Sequence, residues 1–285
     1  MAQATIDLLN RGTEANRADR FRRGNVICLP AEGGLIITGD IHGHRHNFER
    51  MVAYADLGRN PERHIVLQEV IHGGPENSGG GCLSYQLLFD VVRYKVSYPD
   101  RVHIVMGNHD LSFISDSEVL KDGKEMNRSI RSALDDEFQG HSEDVKLAIK
   151  CFLFSQPLAV RCANRVWLSH SLPSDQLFEE FDRGIFDREL EQSDLIKPGS
   201  AYILIWGRKH SQALLDRMAE LLDVDIFIIG HQPQPQGWCQ GGRNLLIIAS
   251  DHNHGCLLPI DLAESYTIEQ LQELVVPLAS IGVGG

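Results

Sequence analysis

The chain has 285 residues, with 27 Lys and Arg against 39 Asp and Glu, a formal net charge of −12. That balance excludes a basic surface wrapped around a nucleic-acid polymer, although a small phosphate ligand needs only one local positive centre. A hydrophobic share of 42% describes a globular chain long enough for a large core, and no apolar run approaches the roughly 20 residues of a membrane span, so no membrane partner is expected.

Residues 1–23 are polar and read as a helical arm, a lid or a loosely docked segment. They hold no apolar core of the signal type. The six cysteines show no C-x-x-C spacing, which points to reduced thiols and a cytoplasmic setting. Short β-type runs then recur: NVICLP, GLIITG, HIVLQEV, RVHIVMG, PLAVRC, RVWLSH, AYILIW, DIFIIG, NLLIIAS and CLLPID. Between the early runs, residues 47–57 and 83–96 place apolar side chains at helical spacing. Residues 113–152 read as mainly helical, and 211–222 and 267–279 as further helices. GGPENSGGG (73–81) is a Gly-rich loop, expected to be mobile. The first half alternates β and α and the second is richer in strands. Two sheets packed face to face with helices outside, in one domain over 1–285, accommodate this pattern.

The strand ends carry the chemistry. GLIITG runs into Asp40 and His42, HIVLQ into Glu69 and His72, and HIVMG into Asn108, His109 and Asp110. VWLS runs into His170, FIIG into His231, and LLIIAS into Asp251, His252, Asn253 and His254. The C-terminal edge of an α/β sheet is where ligands sit. One such residue is ordinary turn chemistry, but six strands delivering carboxylate, amide or imidazole groups are not. Hard oxygen donors mixed with imidazoles suit Mn, Fe or Zn, and the donors are too many for one ion. A site for two divalent metal ions about 3.5–4 Å apart, sharing a carboxylate, uses such a set.

These residues carry a resemblance. GDIHGH, GNHD, LSH and GHQP resemble the calcineurin-like metallophosphoesterases, and more closely their phosphoprotein-phosphatase branch. The resemblance spans roughly residues 33–262. The symmetrical dinucleoside tetraphosphate hydrolases share GDIHG and GNHDL. The family implies a four-layer α-β-β-α sandwich, two mixed sheets flanked by helices, with two metals at the strand ends. It implies Asp40 and His42 as ligands of one metal and Asn108, His170 and His231 as ligands of the other. His254 is the implied final ligand, with His252 as the competing position. His109 is the implied general acid that protonates the leaving oxygen.

One motif departs from the family. Where relatives read GDxVDRG, this chain reads QEVIHGG, residues 68–74. Glu69 stands at the metal-bridging aspartate, His72 at the aspartate that orients the catalytic histidine, and Gly73 at a phosphate-gripping arginine. Either Glu69 is the bridging anion, or it is a solvated carboxylate in a degenerate site. Arg208, read as following the strand AYILIW, is the expected replacement phosphate contact, with His72 beside it on the substrate side. The expected function is metal-dependent hydrolysis of a phosphorylated substrate, whether phosphoprotein, small phosphoester or dinucleoside polyphosphate. The class to be weighed against it is a non-catalytic relative that binds without turnover.

Overall fold

The computed structural model describes residues 1–121 and 123–283. In chain order its helices are α1 (Ala2–Arg17), α2 (Arg45–Ala55), α3 (Ser84–Ser97), α4 (Asn108–Ile114), α5 (Met126–Glu137), α6 (Ser142–Phe154), α7 (Ser200–Trp206), α8 (Gln212–Leu222) and α9 (Ile268–Leu274). The strands are β1 (Arg22–Arg23), β2 (Val26–Leu29), β3 (Gly34–Asp40), β4 (Arg63–Gln68), β5 (Val102–Val105), β6 (Leu120–Lys121), β7 (Lys124–Glu125), β8 (Ala159–Cys162), β9 (Val166–Ser169), β10 (Ile226–Ile229), β11 (Trp238–Gly242), β12 (Leu245–Ile248), β13 (Cys256–Asp261) and β14 (Val276–Pro277). One sheet runs β1-β2-β8-β9-β10-β12-β11 and the other β14-β13-β3-β4-β5. Both are mixed. β3, β4 and β5 are mutually parallel, as are β9, β10 and β12, while β13 and β11 run against them.

Side-chain alternation along the strands builds the layers. Ile27, Val160, Leu168 and Ile228 of the first sheet meet Leu35, Ile37, Val66 and Leu258 of the second in one inter-sheet core. The alternate positions, among them Ile36, Ile65, Trp167, Phe227 and Ile247, face outward into a larger cluster with the helices. The result is the expected four-layer arrangement of two mixed sheets flanked by helices.

Several expectations change. AYILIW is α7, not a strand: Gly199 supplies an extended N-cap, and Ala201, Leu204 and Ile205 then bury one side at helical spacing. A six-residue apolar run reads either way by pattern alone. The N-terminal segment is no loose arm, because α1 packs on α3 and α6, burying Leu9 and Thr13, and Asn16 Nδ2 donates to Ser155 Oγ at 2.9 Å. The Gly-rich loop is held by Asn77, whose Oδ1 accepts from Gly79 and Gly81 N–H and whose Nδ2 donates to Asp136. Within the stretch read as helical, Leu120–Lys121 and Lys124–Glu125 form the small β6–β7 ribbon, and the last helix stops at Leu274 before Val276 pairs with Leu257.

Candidate active site

The parallel strands of both sheets end on one rim. A parallel bridge between Asp40, at the end of β3, and Ala249, just past β12, ties the sheets together there. Among the described residues, four of the eight non-glycine residues with positive φ lie on this rim: His42 (43°), Glu69 (48°), His72 (69°) and His231 (65°). L-residues rarely adopt that conformation, and it collects where a site must aim side chains off a strand end.

The side chains converge. Asp40, Glu69 and His170 are buried, and their donor atoms lie within 4.8 Å of one another. His170 Nε2 is 3.0 Å from Glu69 Oε2, 2.9 Å from Asn108 Oδ1 and 3.1 Å from His231 Nδ1. His231 Nδ1 is 2.7 Å from Asn108 Oδ1, and its backbone N–H donates to Asp40 Oδ1 at 3.0 Å. His42 Nε2 stands 3.8 Å from Asp40 Oδ2. The set Asp40, His42, Glu69, Asn108, His170 and His231 therefore meets in space.

Burial dominates the electrostatics. It pushes Glu69 up to about 8, with the neighbouring Asp40 charge adding to the rise, and it raises Asp40 as well. It drives His170 down to about 4, with the Arg208 charge adding, and His231 well below the usual imidazole range, with the adjacent His170 and Arg208 adding. Neutral imidazoles beside two buried carboxylates form a donor set suited to a cation, and a divalent ion relieves the cost of ionising both carboxylates. The residues present fit a metal centre.

Glu69 is not solvated; it is fully buried. Its Oε2 accepts from the Asn108 N–H at 3.0 Å and its Oε1 from the His109 N–H at 2.9 Å, so the carboxylate also caps the first turn of α4. Gly107 makes the room, since a Cβ there falls 2.6 Å from Oε2. Asp110 Oδ2 accepts from Gly107 N–H at 3.0 Å and closes the same turn. His72 is buried with its ring centroid 4.7 Å from that of His109. At Gly73 the φ is +78° and a Cβ meets the His42 carbonyl oxygen at 2.7 Å, so this backbone excludes an arginine.

A cleft of about 240 Å³ opens over the cluster, lined by Asp40, His42, Asn108, His109, Val119, Leu120, Trp206, Arg208, His231, Gln232, Pro233, Ala249 and Asp251. Arg208 lies beyond α7 rather than a strand, and its Nη1 donates to the His231 carbonyl at 3.2 Å. His254 is not brought to the cluster. It is exposed on the 250–255 turn, where Asn47 Nδ2 holds the Ser250 and His252 carbonyls, and His252 Nε2 sits 2.9 Å from the Gln234 carbonyl. Asp251, from the same turn, lines the cleft instead. The wall also comes from β6 and the half-buried Trp206. Sequence reasoning also missed Gln68, whose Oε1 lies 2.9 Å from His170 Nδ1 while its Nε2 donates to Thr38 O. A glutamine ending a strand just before a candidate ligand is the only signal it gave.

Residues 35–235 match the model of the calcineurin-like phosphoesterase family. Symmetrical bis(5'-nucleosyl)-tetraphosphatases of Buchnera aphidicola subsp. Acyrthosiphon pisum, strains Tuc7 and 5A, are 27% identical over 139 residues. Those alignments cover 48% of this chain and 43% of each relative's length. Among solved structures, a protein serine/threonine phosphatase from Saccharomyces cerevisiae with similarity to human phosphatase PP5 superposes with a TM-score of 0.69 at 13% identity, over 98% of this chain and 93% of the other. A cold-active protein-tyrosine phosphatase of a psychrophilic Shewanella species gives 0.58 at 14% identity, over 83% and 77%.

Proposed function

Because the chain belongs to the calcineurin-like phosphoesterase family, we propose that it is a metal-dependent hydrolase of phosphate esters, of the serine/threonine-phosphatase type. The observation that carries this reading is the convergence of Asp40, Glu69, Asn108, His170 and His231 beneath a cleft that also presents His109 and Arg208. Asp40, His42, Glu69, Asn108, His170 and His231 would hold two divalent ions, with manganese the natural first choice for a mixed carboxylate and imidazole set. Such ions, when bound, supply Lewis-acid charge stabilisation and ionise water near neutral pH.

The chain's own residues supply the rest. Arg208 grips the phosphoryl oxygens from the rim, replacing the contact that Gly73 cannot make. His109, at the first turn of α4, delivers a proton to the departing oxygen. His72 packs on the His109 ring and fixes its orientation on the substrate side. A cleft of about 240 Å³ admits a phosphoryl group and its nearest atoms, which favours an ester presented by a phosphoprotein or small molecule. A second reading, hydrolysis of dinucleoside polyphosphates, is favoured by GDIHG and GNHDL and by the activity named for the curated relatives. A cytoplasmic setting accords with the six free cysteines; among the described residues no helix is long and apolar enough to cross a membrane.

The test is metal content with turnover. Manganese-replete protein should carry about two ions per chain and hydrolyse p-nitrophenyl phosphate. His109→Ala should retain the metal and slow turnover of phenyl phosphate by roughly 10²–10⁴-fold, with a smaller loss for the better p-nitrophenolate leaving group. Folded protein that holds metal but turns over no phosphoester is a binding relative. Loss of metal in His109→Ala would make His109 a ligand.

A further inference from the structure

A second cavity lies on the outer face of the seven-stranded sheet. Cys28 of β2 pairs in register with Arg161 of β8, and Arg161 with Trp167 of β9. Their neighbours Ile27, Val160 and Leu168 point into the inter-sheet core, so these three project outward. The turn at Arg183–Phe186 and the end of α8 close over them and leave a cavity of about 200 Å³ that shares no lining residue with the catalytic cleft. Its floor is apolar, with the Trp167 and Phe186 rings meeting edge to face at 5.0 Å.

The rim is basic in an acidic chain. Arg23, Arg161 and Arg183 line it against one carboxylate, Asp187. Three positive charges and one negative line the rim, and Asp223 beyond it is shared between Arg161 and Arg165. Each guanidinium is anchored through one amino group. Arg23 Nη1 donates to the Arg20 and Arg22 carbonyls, Arg183 Nη1 to the Leu221 carbonyl, and Arg161 Nη2 to Asp223. Pre-positioned guanidiniums with remaining N–H groups suit an oxyanion, which accepts them in pairs. Burial raises the Cys28 thiol while Arg161 and Arg23 pull it down, so both charges act on a sulfur in the cavity.

We propose that this cavity is a non-catalytic binding site for a compact organic dianion, a phosphate-type group carried on a flat apolar body. The anionic group meets the arginines, and the body covers the Trp167 and Phe186 floor. The assignment stands independently of the phosphoesterase reading.

Cys28 is a built-in reporter. The experiment uses full-length protein with Cys151→Ser, which removes the exposed thiol, dialysed free of divalent metal. Alkylation of Cys28 by iodoacetamide is followed at the peptide level. The probe is phenylphosphonate, whose C–P bond no phosphoesterase hydrolyses. It should slow Cys28 alkylation at least about fivefold, with half-protection below about 1 mM. Benzyl alcohol should give none, and inorganic phosphate a weaker effect. Arg161→Ala and Arg183→Gln, checked for native circular dichroism, should each raise the half-protecting concentration about tenfold, the loss of one charge-assisted contact, while p-nitrophenyl phosphate turnover of the manganese-loaded variants stays unchanged. Absence of protection up to about 10 mM, equal protection by benzyl alcohol, or unaltered protection in both variants overturns the site. Equal protection by inorganic phosphate would strike out the apolar body.

Discussion

The extra methylene that separates Glu69 from the family's aspartate reaches the backbone of α4, where both carboxylate oxygens accept N–H groups. A shorter side chain keeps the charge but cannot hold both bonds. Glu69→Asp should therefore bind manganese within a fewfold of wild type and lose about 1–2 kcal/mol of metal-free stability. Glu69→Gln keeps the volume and loses the anion, so its manganese affinity should fall more than about tenfold. Calorimetric titration and urea midpoints read the two effects separately, and three superimposable manganese isotherms would remove Glu69 from the centre. Gly73 yields a sharper case. Restoring the family's arginine forces a side chain into φ +78° against the His42 carbonyl, so Gly73→Arg should melt lower and gain no kcat/KM with any phosphoester. A gain would mean that the loop can reopen without strain. Such details bound what the sequence could disclose. The convergence of Asp40, Asn108, His170 and His231 was legible because each stands at or just past the end of a strand, whose direction fixes where its end falls. His254 was not, because the 250–255 turn is oriented by Asn47 from a distant helix, a contact that no local pattern encodes.

At the scale of elements, the strands that alternate faces or run apolar between turn residues were readable, and so were α2, α3 and α8 from their helical spacing. The misreadings share one cause: local pattern without tertiary context. AYILIW satisfies both periods, and only its lack of a ladder partner and the extended Gly199 before it make it a helix. β11, with sequence WCQGG, has little apolar alternation and exists because β12 offers it an antiparallel edge. The polar look of residues 1–23 hid a docked helix because α1 buries a narrow stripe, and because its end is fastened by charge rather than by apolar area. Asp19 Oδ2 lies 3.0 Å from Lys95 Nζ and 3.0 Å from His103 Nδ1, all fully or nearly buried. Glycine richness likewise suggested motion in loop 73–81, while one asparagine side chain supplies the acceptors that order it.

For the whole molecule, this buried chain of polar groups sets an acid limit on folding. His64, at the start of β4, places Nδ1 3.1 Å from His103 Nε2, and His103 in turn faces Asp19 and Lys95. Burial, reinforced by the adjacent His103, lowers His64 to about 3, whereas an unfolded histidine titrates near 6.5. A lowered imidazole means that the unfolded chain takes up a proton that the native chain refuses. The His64 contribution to stability then rises with pH across the window from about 3 to about 6.5 and is flat above it, with a slope near 1.4 kcal/mol per pH unit for one proton. Asp19 is held below its ordinary value by His103 and Lys95 against the opposing effect of burial, and stays ionised in both states above about pH 5, so it does not contribute there. The catalytic carboxylates and imidazoles also titrate, so the measurement must be a difference at saturating manganese. His64→Gln, which retains a donor toward His103, should be no more stable than wild type at pH 7.5. On acidification from pH 6.5 to 4.5 it should gain about 2–3 kcal/mol relative to wild type in urea midpoints. Parallel stability curves for the two proteins would show that His64 is protonated in the folded chain, and that the fastening of α1 tolerates an added charge.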